Sequence, residues 1–231
     1  MTIQTYFDKV YCINIPSRED RWEESQEEFL KHGIDNVTKV EGITGIPTGL
    51  QHHETMGLNQ RDINFQKKIA GTVGCLLSHL KIIKEAKAQH LSKILILEDD
   101  VQFSPQMQET FARIYNQIPL AWTLLYLGGN ELSGAKQVSS NIIQVSHMLM
   151  THAVAIHCSI YDDLIQMLEE CAYPVDVYYT MIQKKHACYS IYPYIAWQRA
   201  SWSDIEQRFR IYDFENMSHS LTNILQCKII E

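Results

Sequence analysis

Short apolar runs punctuate the chain, and longer stretches with helical spacing lie between them. VYCINI (10–15), VTKVEG (37–42) and the apolar run at 93–98 read as buried strands, and WTLLYLGG (122–129) as another that ends in two glycines. Residues 141–157 hold two further strand-like runs, and 188–195 a last one. A helix is expected over about Asp20–His32, where Trp22, Phe29 and Leu30 share one face and Gly33 supplies the stop. Leu76, Leu77, Leu80 and Ile83 give helical periodicity over 74–90. Helices are also expected over 106–118, over 159–170 and after Pro174. Residues 42–62, rich in Gly, Thr, His and Asn, read as a long loop, and loops of that length are often functional.

Strands alternating with helices predict one α/β domain over 1–231 with a mixed, mainly parallel sheet flanked by helices. Ligands of such sheets bind outside the carboxyl ends of the strands, where Glu98–Asp100 and Gly128–Gly129 are expected.

Twenty basic against 27 acidic residues give a net charge of −7, which argues against broad nucleic-acid binding. No two of the six cysteines have CxxC spacing, so neither a zinc knuckle nor a thioredoxin-type motif is expected. Reduced thiols in a cytoplasmic setting fit that usage. The N-terminus does not have the pattern of a signal peptide, and no apolar run approaches a membrane span, leaving peripheral contact with the inner membrane surface as the expected membrane association.

The strand KILILE runs into Glu98, Asp99 and Asp100. Three adjacent acids repel one another, and a hard divalent cation, Mn²⁺ or Mg²⁺, would relieve that repulsion through oxygen ligands. On an extended chain Glu98 and Asp100 point the same way and Asp99 the other. A solvated strand end followed by a turn is the alternative.

Around this stretch, VYCINIPSREDRWEESQEEFLKHG, VEGITG, GTVGCLLSHLKIIKEA, ILILEDDV, THAVAI, YPVD and YPYIAWQ…SDI follow one another in an order that resembles glycosyltransferase family 25, over about residues 10–205. That family includes lipooligosaccharide and procollagen galactosyltransferases. The resemblance implies a GT-A-type fold, a UDP-sugar donor, a divalent metal and an inverting transfer of a hexose, galactose foremost. The acceptor would be a hydroxyl of a glycan, a lipid-linked glycan or another molecule. Thr72-Val73-Gly74 and Val154 depart from the family's usual residues at their positions.

On that resemblance Glu98 and Asp100 would hold the metal, and Asn14, Arg18, Arg21, Ser78, His79 and Asp99 would serve the donor. Arginine forks and helix N-terminal amides suit a diphosphate, although Arg18 and Arg21 can instead pair with Glu23 or Glu24. Asp176 would be the base that takes the acceptor proton, with Asp204 second; the competing role for Asp176 is helix N-cap. Gln198 and Ser203 would line the acceptor or metal side. Arg208 and Arg210 read first as a solvated helix face, His52-His53 as part of a polar loop, and Tyr178, Tyr179 and Trp197 as core packing or a sugar platform. Two other classes remain: a sugar-nucleotide or glycan-binding module that has lost the chemistry, and a metal-dependent phosphohydrolase, which lacks a second acidic motif.

Overall fold

The computed structural model describes residues 1–45, 63–203, 205 and 208–210. Along the chain, α1 (Ile3–Tyr6) precedes β1 (Lys9–Asn14), α2 (Glu19–Lys31) and β2 (Val37–Glu41). A long helix, α3 (Ile63–Ala88), leads to β3 (Lys93–Glu98), β4 (Val101–Phe103) and α4 (Met107–Ile114). The next strands are β5 (Leu124–Tyr126), β6 (Asn130–Glu131), β7 (Lys136–Ser139), β8 (Ile142–Gln144), β9 (Met148–Leu149) and β10 (Ala153–His157). Then come α5 (Tyr161–Glu169), α6 (Val175–Gln183), β11 (Cys188–Ile191), β12 (Ala196–Gln198), β13 (Ser201–Ser203) and β14 (Arg208–Arg210).

Eight strands form the main sheet in the order β2-β1-β3-β10-β5-β11-β8-β7. β1 pairs in parallel with β2 and β3, and β5 with β11. β10 and β8 run against both of their neighbours, which leaves the other strands pointing one way. The expected mixed, mainly parallel α/β sheet is therefore present.

Alternation along the central strands separates two cores. Tyr11, Ile13, Ile94, Ile96, Val154 and Ile156 face one core with α3, α5 and α6. Val10, Cys12, Leu95, Leu97, Ala153 and Ala155 face the other, with Phe29 of α2 and Phe111 of α4. Ile94–Leu97 are wholly buried. At roughly 1.5–3 kcal/mol each they stabilise β3 by about 6–12 kcal/mol, enough to hold a charged strand end in place.

Glu19 and Asp20 sit in the first turn of α2, where the helix dipole favours acids, and Gly33 ends the helix at φ 62°. α3 begins well before the expected 74. Ile69, Val73, Leu76, Leu80 and Ile83 continue one buried stripe through the Gly-containing segment. The run expected at 188–195 pairs as a strand only to Ile191. Arg208 and Arg210 lie on β14, paired with β13, and not on a helix. His52, His53, most of the loop expected at 42–62 and Asp204 lie outside the described residues.

Candidate functional site

The carboxyl ends of β1, β2 and β3 lie side by side, because Ile13 is in register with Glu98 and Asn14 with Glu41. β3 stops at Glu98 and the chain turns through Asp99 and Asp100. Strand alternation therefore does not carry into the acidic triplet. Asp99 is not opposed to Asp100: both carboxylates reach Arg21, whose Nη2 lies 2.9 Å from Asp99 Oδ1 and 2.5 Å from Asp100 Oδ2. All three side chains are buried. Asn14 Nδ2 donates to Asp99 Oδ2 at 2.7 Å and to the Arg18 carbonyl, and Gln198 Nε2 donates to Asp100. Arg21 thus supplies a counter-charge to two of the three acids. Arg18 pairs with Asp20 at 2.9 Å instead of Glu23 or Glu24, and it is not among the described residues lining the adjacent cavity.

These acids are tuned apart. Burial pushes the Asp99 carboxyl up to about 6 despite Arg21. Burial likewise raises Asp100 against the pull of Arg21. Burial also works on Glu98, but His79, Thr151 and His152 outweigh it and hold that carboxyl below its ordinary value. Thr151 Oγ1 donates to Glu98 Oε1 at 2.6 Å, and His79 Nε2 lies 3.9 Å from the same oxygen.

The GCLLSH segment of α3 packs under this edge. A Cβ on Gly74 would overlap the Ile43 carbonyl oxygen, so glycine is what lets the chain after β2 approach the helix. Ser78 Oγ fastens that approach: it accepts the Ile43 amide at 2.8 Å and donates to the Gly74 carbonyl at 2.7 Å. Ser78 is a positioning residue, shaping the cavity wall formed by Gly42–Gly45. His79 is fully buried, with Nδ1 3.0 Å from the Tyr179 hydroxyl. Tyr178 is buried as well, its hydroxyl accepting the Ala172 amide, so both tyrosines are core residues. Trp197 donates to Gln102 beside the site.

Two cavities flank Glu98. The first, about 320 Å³, is lined by Arg21, Gly42–Gly45, Ser78 and all three acids. The second, about 560 Å³, is lined by Asp176, Thr151, Lys68, Thr72 and Arg210. Cys75, Glu98, Gln198, Ser203 and Ile205 border both, so the two spaces meet at the end of β3.

Asp176 is not the N-cap of α6; Pro174 holds that position and Asp176 sits in the first turn. Burial raises its carboxyl above the ordinary value, although it accepts backbone N–H groups of Val177 and Met150. Met150 has a left-handed backbone, φ 73°, and its neighbour Thr151 holds Glu98. Asp176 therefore steadies a strained residue as well as facing the second cavity.

Several contributors carry no local sequence signal. Arg199 donates to the Asp99 carbonyl at 2.7 Å and pairs with Glu24 at 2.7 Å, fixing the turn from the end of β12, the partner of β4. His152 is buried beside Glu98, and burial lowers its imidazole below the ordinary value. Cys75 follows Gly74 as one more apolar residue of a helix, and only the fold brings it to Glu98. Gly128 and Gly129 lie past β5 and serve packing: a Cβ on Gly128 would overlap the Ala196 carbonyl, and one on Gly129 would crowd Met148.

An acid- and arginine-lined crevice lies at the carboxyl ends of parallel strands, the edge where ligands of α/β sheets bind. The family model described as glycosyltransferase family 25 (LPS biosynthesis protein) matches residues 7–179, and the chain belongs to that family. Human procollagen galactosyltransferase 2 is 28% identical over 130 residues, covering 53% of this chain and 21% of that protein. Human inactive glycosyltransferase 25 family member 3 is 27% identical over 141 residues, covering 58% of this chain and 24% of that protein. The chain thus spans about a quarter or less of these relatives' length. Among solved structures, A197 from STIV is similar at TM-score 0.43 and 10% identity, covering 89% of this chain and 94% of that one. Among the described residues no helix is long and apolar enough to cross a membrane.

Proposed function

We propose that this chain transfers a hexose, galactose foremost, from a UDP-sugar to a hydroxyl of a glycan or lipid-linked glycan, with inversion at the anomeric carbon. The observation that carries the reading is the meeting of two cavities at Glu98, one lined by Arg21 and the strand-end acids, the other by Asp176. The first would take the donor nucleotide, with Arg21 on its diphosphate and Asn14, Asp99, Ser78 and His79 positioning the groups around it.

Carboxylate oxygens suit a hard cation. Glu98 and Asp100 both line the cavity, so the donor set fits Mn²⁺ or Mg²⁺. The ion would stabilise charge on the departing UDP. Asp176 would accept the proton of the attacking hydroxyl from the second cavity, where a raised carboxyl is the better base. Asp204, which lies outside the described residues and falls in sequence between the cavity-lining Ser203 and Ile205, is the second candidate.

A UDP-release screen across UDP-hexoses and glycan acceptors, with and without Mn²⁺, tests this. Metal-dependent release that needs an acceptor supports transfer. A weakened, sugar-nucleotide-binding relative is the second reading, favoured by Arg21 already engaging Asp99 and Asp100 and by a relative named inactive. UDP binding without release for any donor and acceptor pair would select it.

A further inference from the structure

Where the two cavities meet, three side chains of different chemistry converge. Cys75 and His79 are four residues apart on α3 and so share a helix face. Glu98 comes to them from the end of β3. Cys75 Sγ, a His79 ring nitrogen and a Glu98 carboxylate oxygen lie within 4.8 Å of one another. His79 is 0% exposed, and its Nε2 makes no hydrogen bond among the described residues while lying 3.9 Å from Glu98 Oε1. A buried imidazole nitrogen that faces a carboxylate from 3.9 Å without a hydrogen bond, with a thiol beside the pair, is an arrangement that a cation completes.

We propose that Cys75, His79 and Glu98 form a binding site for a borderline-soft divalent cation of the zinc class. Thiolate, imidazole and carboxylate are the ligands such an ion takes, whereas Mn²⁺ and Mg²⁺ prefer oxygen alone. The surroundings already orient the ligands. The Tyr179 hydroxyl meets His79 Nδ1 at 3.0 Å, leaving Nε2 for the ion, and Thr151 fixes Glu98 at 2.6 Å. Zinc ligands sit about 2.0–2.3 Å from the metal, so the trio must close by roughly an ångström, within reach of side-chain rotation. Cys75 and Glu98 border both cavities, which supplies an entry path and an open fourth position. Binding releases the Cys75 thiol proton to solvent.

The site has a consequence for the reaction, which rests on the proposed function. Glu98 cannot serve a soft ion beside Cys75 and a hard ion on a diphosphate at once. Zinc would therefore oppose Mn²⁺-supported transfer.

Cobalt(II) titration of the reduced protein tests the site without any sugar nucleotide, so its failure is separable from failure of the transferase reading. One Co²⁺ per chain is expected, with a thiolate-to-metal charge-transfer band and tetrahedral visible bands that zinc displaces. Cys75→Ser should abolish the charge-transfer band, and His79→Gln should weaken Co²⁺ binding by at least tenfold. A second measurement needs no variant: zinc should protect Cys75 from alkylation in native wild type, mapped by mass spectrometry, and Mg²⁺ should not. Absence of the band, its persistence in folded Cys75→Ser, or equal Cys75 alkylation with and without zinc would overturn the proposal.

Discussion

Arg21→Met keeps much of the arginine stem's bulk and removes the charge that faces Asp99 and Asp100. The three side chains are only 7–13% exposed, so solvent can take over only part of the arginine's role. Removing one partner of a buried ion pair costs about 3–5 kcal/mol, because the other charge stays buried. At about 2–4 °C per kcal/mol for a chain of this size, the melting temperature should fall by roughly 6–20 °C. Asp99→Asn alone should cost much less, since Arg21 keeps Asp100. Asp99→Asn added to Arg21→Met removes one stranded charge and should recover part of the loss. Thermal and urea unfolding of the four proteins read this directly. A fall of less than about 2 °C in Arg21→Met, or strict additivity in the double variant, would refute Arg21 as the counter-charge of the triplet.

Gly74→Ala should cost about 1–3 kcal/mol by overpacking against Ile43 and weaken UDP binding with it; wild-type stability and affinity would contradict the close approach. Asp100→Asn should nearly abolish transfer at limiting Mn²⁺ while leaving circular dichroism unchanged, and unchanged transfer would remove Asp100 from the metal set. Asp176→Asn should lower turnover by roughly 10²–10⁴-fold with UDP affinity retained. Because burial raises the Asp176 carboxyl, wild-type turnover should rise with pH through a value above that of an ordinary aspartate, and the variant should lose that acid limb. If Asp176 only steadies Met150, the variant melts early but keeps the limb.

The strand ends were legible because Ile94–Leu97 form a continuous apolar run and Gly33 is a stop signal that needs no tertiary context. The start of α3 was not, because the apolar periodicity read from Leu76, Leu77, Leu80 and Ile83 begins only at 74, whereas the helix runs from Ile63, with Gly71 and Gly74 packed on Ile205 and Ile43. The pairing of Arg21 with Asp99 and Asp100 spans 78 and 79 residues of sequence, and local spacing favours its acidic neighbours on α2 instead. Strand alternation misplaced Asp99 for a local reason: pairing with β1 stops at Glu98. Of the second cavity the family-like blocks marked Asp176, Gln198 and Ser203 as site residues, but not Lys68, Thr72 or Thr151, which only the fold gathers there.

The donor cavity is the claim on which the rest depends, and calorimetric titration of the wild-type chain with UDP, with and without Mn²⁺, tests it most directly. One UDP should bind per chain in the presence of Mn²⁺, weaker by tenfold or more without the ion, and binding should be lost in Asp100→Asn. No heat of binding from a folded wild-type chain at millimolar UDP and Mn²⁺, or binding indifferent to both the ion and Asp100, would contradict it.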